Sequence, residues 1–128
     1  MIEANNIYLE QPIMITLTYG NTSLSNGKTA KHDFARFMKL FRRYVSKEYG
    51  VTARYLSAHE LNTNKEGTER PHHHVLTLHN IPPNLIHKWW NNAVNKPRVK
   101  EGLPIQELHP NSTKTSNIGD YITKYLSK

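Results

Sequence analysis

The sequence predicts an α+β fold in which helices pack on an antiparallel β-sheet. Short segments rich in β-branched and apolar residues alternate with longer segments whose apolar residues recur at helical spacing. Two of the strand segments are separated by only a short polar loop, which favours antiparallel pairing between them. The predicted order of elements is β, α, β, β, α, β, α, and such an order is typical of a sheet covered by helices.

The composition indicates one small, basic domain over residues 1–128. Lysine and arginine together number 17 and aspartate and glutamate 10, so the formal net charge is +7, and eight histidines add to it below neutral pH. A charge of this sign on so short a chain favours a polyanionic partner, with nucleic acid first. Because cysteine is absent, a disulfide framework, a thiol nucleophile and a cysteine-based zinc site are excluded.

The sequence carries no signal for a membrane or for secretion. No apolar run approaches the roughly 20 residues that a membrane-spanning helix needs. The first six residues lack the basic and apolar regions of a secretion signal. We therefore expect a soluble, cytoplasmic protein with no membrane partner.

The first third of the chain predicts a strand followed by a helix. Residues 13–19 are apolar and β-branched and end before Gly20, so they predict a central strand, with an extra strand before Gln11 left open. Residues 30–49 carry apolar residues at helical spacing and are followed by Gly50, a favoured residue after a helix end. The charged residues of this helix predict a solvated face; they are Arg36, Lys39, Arg43 and Lys47.

The middle of the chain predicts a pair of strands. Residues 51–61 and 72–79 each have the composition of a strand, and the polar loop 62–70 joins them. Pro82 and Pro83 then predict the start of a short helix, followed by a loop at residues 95–102. Residues 103–109 predict a further strand, and the prolines within and after it place that strand at a sheet edge.

Histidines are concentrated in the third predicted strand. Because strand side chains alternate between faces, His72 and His74 project together while His73 points the other way. Glu60 closes the neighbouring strand, so these three side chains could hold a manganese, magnesium or zinc ion. Surface polarity, or a hydrogen-bonded core histidine, is the alternative explanation. His59 and His79 are expected to be structural, although His59 could compete with Glu60 as a ligand.

The end of the chain predicts a helix over residues 115–128 with two tyrosines one turn apart. Tyr121 and Tyr125 are spaced i and i+4, and Lys124 lies near Tyr121 on the same surface. A phenol with a pKa of about 10 is a poor nucleophile unless a nearby metal-bound phosphate and a lysine assist it. Core filling is the alternative, mainly for Tyr125, because helical phase places Tyr121 at the edge of the apolar stripe.

Three motifs in this order resemble the HUH endonuclease superfamily, in particular the rolling-circle replication initiators of small phages, plasmids and viruses. The motifs are the strand Ile15-Thr16-Leu17-Thr18-Tyr19, the strand Arg70-Pro71-His72-His73-His74-Val75-Leu76 and the helix Tyr121-Ile122-Thr123-Lys124-Tyr125. The resemblance spans residues 13–128 and implies a ferredoxin- or RRM-like sheet. The chain departs from the family pattern at His73, where a hydrophobic residue is usual, and a bulge in the strand would make His73 a ligand instead.

The resemblance implies a role for each matched residue. His72 and His74 correspond to the paired metal-binding histidines, and Glu60 looks like the third ligand of a Mn²⁺ or Mg²⁺ ion. Tyr121 matches the nucleophile, Lys124 the lysine of the same motif, and Tyr125 the second tyrosine of the phage-type subgroup. The implied phosphate contacts are basic residues: Arg42, Arg43, Arg54, Arg70, Lys96, Arg98, Lys100 and Lys114.

The implied activity is metal-dependent nicking and rejoining of single-stranded origin DNA through a 5′-phosphotyrosine intermediate, in a virus- or plasmid-encoded protein. No helicase domain is present in the sequence, so a host or viral helicase and a polymerase are the expected partners. Strand transfer by Tyr125, by a second subunit of a homodimer or by the 3′-OH stays open. The alternatives are a single-strand transposase or relaxase of the same type and a metal-free nucleic-acid-binding module.

Overall fold

A computed structural model describes residues 8–19, 27–63 and 69–115. In this part of the chain an antiparallel sheet of four strands is combined with two helices, in the strand order β2-β3-β1-β4. The elements are β1 (Tyr8–Leu17), α1 (Gly27–Tyr49), β2 (Leu56–Thr63), β3 (Glu69–His79), α2 (Pro83–Lys100) and β4 (Asn111–Lys114). This architecture confirms the predicted α+β class.

The two faces of the sheet differ in what packs on them. On the helix-covered face, Ile15 and Leu17 of β1 and Val75 of β3 are fully buried beneath Phe37 of α1 and Trp90 of α2. Burying such side chains contributes about 1.5–3 kcal/mol each. Residues one position along each strand point to the opposite face, which we call the far face. Strand alternation therefore decides which histidines can meet Glu60.

Strand β1 begins earlier than the sequence predicts, at Tyr8 rather than at residue 13. The extra strand that was left open before Gln11 is the first part of β1 itself. The register with β3 is irregular between Tyr8 and Ile13. Pro12 lies in this stretch, and it lacks the N–H that a ladder hydrogen bond needs.

The second predicted strand is too long, because β2 begins at Leu56 and not at residue 51. Side chains of β3 bind the backbone of Arg54 and replace a strand ladder there. The Arg54 N–H donates to His79 Nε2 at 2.8 Å, and Thr77 Oγ1 donates to the Arg54 carbonyl at 2.8 Å. The backbone is satisfied without strand pairing, so composition alone misplaces this boundary.

Helix α2 continues to Lys100, so the predicted loop at residues 95–102 is wrong over its first six positions. Pro97 lies inside the helix and cannot donate to the carbonyl of Ala93, four residues earlier. Arg36 of α1 supplies the missing donor, since its Nε bonds the Ala93 oxygen at 2.8 Å. A contact between helices thus compensates for the proline.

The predicted strand at residues 103–109 is also wrong, and the fourth strand forms at Asn111–Lys114. The Asn95 side chain bonds both backbone groups of Gln106, at 2.8 and 2.9 Å, and so replaces a strand partner. Thr115 is not helical, and its N–H extends the β4 pairing by donating to the Pro12 carbonyl at 2.9 Å. The rest of the predicted final helix, residues 116–128, lies outside the described residues. Neither described helix is long and apolar enough to cross a membrane.

Candidate functional site

Adjacent strands bring Glu60 and two histidines together on the far face. In the antiparallel pairing of β2 with β3, Glu60 lies opposite His72, and Ala58 lies opposite His74. Glu60 and His74 are therefore diagonal neighbours, a spacing that long side chains can bridge. His74 Nε2 lies 2.8 Å from Glu60 Oε1, so a proton on Nε2 is donated to the carboxylate.

His74 is held from its other ring nitrogen as well. Its Nδ1 lies 3.5 Å from Thr16 Oγ1, at the outer limit of a hydrogen bond, because Thr16 of β1 pairs directly with His74. The imidazole is buried between the two contacts. Thr16 was assigned no role from the sequence, and only the register of β1 against β3 could have revealed it. A residue on a histidine's second nitrogen fixes which nitrogen faces a ligand.

The donor atoms fit a hard or borderline divalent cation in chemistry. Imidazole and carboxylate suit Mn²⁺, Mg²⁺ and Zn²⁺ to different degrees. With metal–ligand bonds of about 2.1 Å, two ligands of one ion lie about 3 Å apart, close to the 2.8 Å between His74 and Glu60. In residues 8–19, 27–63 and 69–115 no three histidine, aspartate or glutamate side chains converge as a finished metal cage. Binding would therefore require His72 to turn toward the other two.

His73 lies on the opposite side of the sheet from Glu60. Strand β3 pairs with β2 in unbroken register from Glu69 to Leu76, so no bulge turns His73 toward the far face. Its ring stacks on Phe34 at 4.8 Å, and its Nδ1 lies 2.7 Å from Nδ1 of His59. The geometry therefore contradicts both alternative ligands, His73 and His59, as partners of Glu60 in one site.

Burial keeps these packed histidines neutral. Desolvation, followed by the neighbouring histidines, lowers the pKa of His73 to about 3. Desolvation also lowers the pKa of His59 and that of His79. One neutral ring of the His59–His73 pair can donate while the other accepts, so the pair acts as packing rather than as an acid or base.

A buried acidic cluster connects β1 to both helices. The Tyr19 hydroxyl donates to Asp33 Oδ2 at 2.6 Å, and Arg36 forms an ion pair with the other carboxylate oxygen. Desolvation nonetheless raises the pKa of Asp33 above its ordinary value. Since Arg36 also bonds Ala93, this cluster fixes the helices on the sheet and stands apart from Glu60 and His74.

The predicted phosphate contacts are dispersed over the surface. Arg42 donates to the Tyr55 hydroxyl at 3.3 Å, and Arg98 donates to the Pro104 carbonyl at 2.7 Å. Arg54 lines a depression of 350 Å³ at the end of the sheet, beside Leu76 and Leu78. The remaining described members lie on the helices and on β4: Arg43, Lys96, Lys100 and Lys114, all exposed. Only the backbone of Arg70, in β3, is described.

The predicted nucleophile and its companions, Tyr121, Lys124 and Tyr125, lie outside the described residues. Their roles stay predictions from the motif and from the resemblance. What the structure brings together is Glu60 with His74, with His72 opposite Glu60 on the same face.

Similarity to known proteins decides the family. A family model for replication-associated proteins of the ORF2 type matches residues 12–128. The chain belongs to this family of replication-associated proteins. This assignment confirms the sequence-based prediction of a replication protein, and the match includes all three motifs, from the first strand through the tyrosines.

Other comparisons add little to the family assignment. A solved structure described as protein SO0527 from Shewanella oneidensis aligns with 84% of this chain and 94% of its own, at 13% identity and a TM-score of 0.33. Comparison with curated proteins found no significant match.

Proposed function

We propose that this replication-associated protein is an initiator that nicks and rejoins single-stranded origin DNA by metal-dependent transesterification. The observation that carries the proposal is the contact of His74 with Glu60 on the far face, with His72 opposite Glu60 on the adjacent strand. In a chain of a replication family that also contains the Tyr121-Ile122-Thr123-Lys124 motif, these groups supply a cation site and a hydroxyl nucleophile.

The reaction exchanges one phosphodiester for another. The Tyr121 oxygen forms a bond to the scissile phosphorus while the bond from phosphorus to the 3′ oxygen breaks. The phenolic proton leaves the tyrosine, and the departing oxygen takes up a proton to become a free 3′-OH. The product is a 5′-phosphotyrosine link, so the energy of the phosphodiester is retained and no external energy source is needed.

The side chains of the chain supply binding and orientation for that step. Glu60, His72 and His74 would hold Mn²⁺ or Mg²⁺, which supplies a positive charge against the scissile phosphate. Thr16 keeps the His74 ring oriented so that Nε2 faces the site. Lys124 would neutralise negative charge on the tyrosinate or on the phosphate, one helical turn from the attacking oxygen.

Rejoining would require a second exchange. Tyr125, a second subunit or the 3′-OH itself would attack the phosphotyrosine link and restore a phosphodiester. Exposed cations would bind the DNA backbone, with a helicase and a polymerase supplying unwinding and synthesis in the host cell. The DNA affinity should then fall steeply with salt, because each neutralised phosphate releases counterions.

Incubation with single-stranded origin oligonucleotides and a manganese salt tests the proposal. We expect a covalent adduct on a denaturing gel, lost on chelation and lost in the Tyr121→Phe variant. Tyr55→Phe is the matched control, since it removes a hydroxyl that accepts a hydrogen bond from Arg42. An adduct that persists in Tyr121→Phe but not in Tyr125→Phe contradicts the assignment of the nucleophile. DNA binding without any adduct, on every origin-derived substrate, contradicts nicking and leaves a binding module.

A further inference from the structure

Helices α1 and α2 form a basic groove on the side of the helix layer that faces away from the sheet. The groove has a volume of 690 Å³. Its floor is apolar and includes Leu40, Ala93 and Val99, and Val99 is more than half exposed. We call this surface the helix groove, and its cationic rim is formed by Lys39, Arg43, Lys96 and Lys100.

The rim cations repel one another within each helix. Lys39 and Arg43 are spaced i and i+4 on α1, and Lys96 and Lys100 have the same spacing on α2. Like charges at this spacing destabilise a helix by about 0.2–0.5 kcal/mol per pair. In the part of the chain that the structure describes, none of the four forms an ion pair with a carboxylate. A bound polyanion would relieve this repulsion.

Arg36 also lines the groove, but its charge is already compensated. It pairs with the buried carboxylate of Asp33 and bonds the Ala93 carbonyl. Among the described residues that line the groove, none is acidic. The positive charge available to a ligand therefore comes from the four rim residues, two on each helix.

The composition of the groove distinguishes between forms of nucleic acid. Sites for single strands combine cations with aromatic side chains on which bases stack. The described lining of the helix groove contains no aromatic ring, although aromatic residues are abundant in the core beneath it. Cations above an aliphatic floor suit a sugar–phosphate backbone whose bases remain paired.

The groove and the candidate site face in opposite directions. Glu60 and His74 lie on the far face of the sheet, whereas α1 and α2 cover the other face. A DNA segment in the groove is consequently separate from the strand at the candidate site. We propose that the helix groove binds the sugar–phosphate backbone of duplex DNA, independently of base sequence.

A pair of double variants with the same change in net charge tests the inference. Lys39→Gln/Lys96→Gln removes one rim cation from each helix. Lys47→Gln/Lys88→Gln removes one exposed cation from each of the same helices outside the groove. The probes are a 20-base-pair duplex of arbitrary sequence and a 20-nucleotide single strand, each titrated over a salt series. Circular dichroism checks that both variants keep the fold.

We expect the groove variant to weaken duplex binding by about tenfold and to lower the slope of log K against log salt by about 1.8, which corresponds to two phosphate contacts. The control variant should change duplex affinity by less than about twofold, and the groove variant should lose less affinity for the single strand than for the duplex.

Three results would overturn the inference: equal losses in the two variants, no loss in either, or a larger loss for the single strand. A loss confined to vesicles of anionic phospholipid would also overturn it. The inference takes DNA as the partner from the proposed function but does not need nicking. A wild-type protein that forms no adduct, yet shows the expected duplex difference, refutes nicking and supports the groove.

Discussion

Replacing Arg36 with alanine should destabilise the protein by removing a contact that compensates for Pro97. Arg36 Nε is the donor to the Ala93 carbonyl, which Pro97 leaves without its helical partner. A hydrogen bond from a charged group contributes about 1.5–3 kcal/mol. The substitution also leaves the carboxylate of Asp33, which is 3% exposed, without its ion-pair partner. Removing one partner of a fully buried pair costs about 3–5 kcal/mol.

The expected loss lies below the sum of these terms. The Arg36 side chain is 41% exposed, so solvent screens its charge. Asp33 also keeps its hydrogen bond from Tyr19. We expect Arg36→Ala to lower the free energy of unfolding by about 2–4 kcal/mol, measured as a shift of the urea midpoint at unchanged m-value.

A double-mutant cycle with Pro97→Ala isolates the compensation. An alanine at position 97 supplies an N–H that can bond the Ala93 carbonyl, so Arg36 becomes partly redundant there. Arg36→Ala should cost about 1–2 kcal/mol less in the Pro97→Ala background than in the wild type. The same loss in both backgrounds would refute the argument that Arg36 substitutes for the missing helical donor.

Three further predictions concern single side chains. Asn95→Ala should lower the free energy of unfolding by about 2–4 kcal/mol, because both buried backbone groups of Gln106 lose their partner; chemical denaturation measures this, and a loss under about 1 kcal/mol contradicts it. His79→Gln should flatten the acid dependence of stability. Burial lowers the folded pKa of His79, so wild-type stability is fully present above the ordinary value of 6.5 and is lost as pH falls through the folded pKa, by at most about 1.4 kcal/mol per pH unit from this group; identical pH profiles would contradict the assignment. Manganese should raise the melting temperature of the wild type by several degrees and of Glu60→Ala by much less, and equal shifts would exclude Glu60 as a ligand.

The sequence predicted the sheet and one side of the candidate site well because both depend on local periodicity. Alternation along β3 separates His73 from His72 and His74, and the short loop between β2 and β3 predicts that Glu60 meets that strand. These inferences need only neighbouring segments. Thr16 was missed because its contact with His74 depends on pairing across 58 residues, which no local pattern encodes.

The wrong boundaries share one physical cause. At Arg54 and at Gln106, side chains from elsewhere in the fold bind the backbone and replace a strand partner. At Pro97, an arginine of another helix replaces a helical donor. Propensity scales describe the backbone with its own neighbours, so they cannot anticipate tertiary hydrogen bonds of this kind. The helix groove was hidden for the same reason, since its rim joins two helices distant in sequence.

The attachment site of DNA on the protein tests the central claim most directly. Trypsin cleaves after lysine, so it separates the two tyrosines, with Tyr121 in the peptide 115–124 and Tyr125 in the peptide 125–128. Mass spectrometry of the adduct formed with single-stranded origin DNA and manganese identifies which peptide carries the nucleotide. The proposed mechanism predicts a 5′-phosphate ester on peptide 115–124 of the wild type, absent from the Glu60→Ala and Tyr121→Phe variants. A nucleotide found only on peptide 125–128, or an adduct of equal yield in Glu60→Ala, would contradict it.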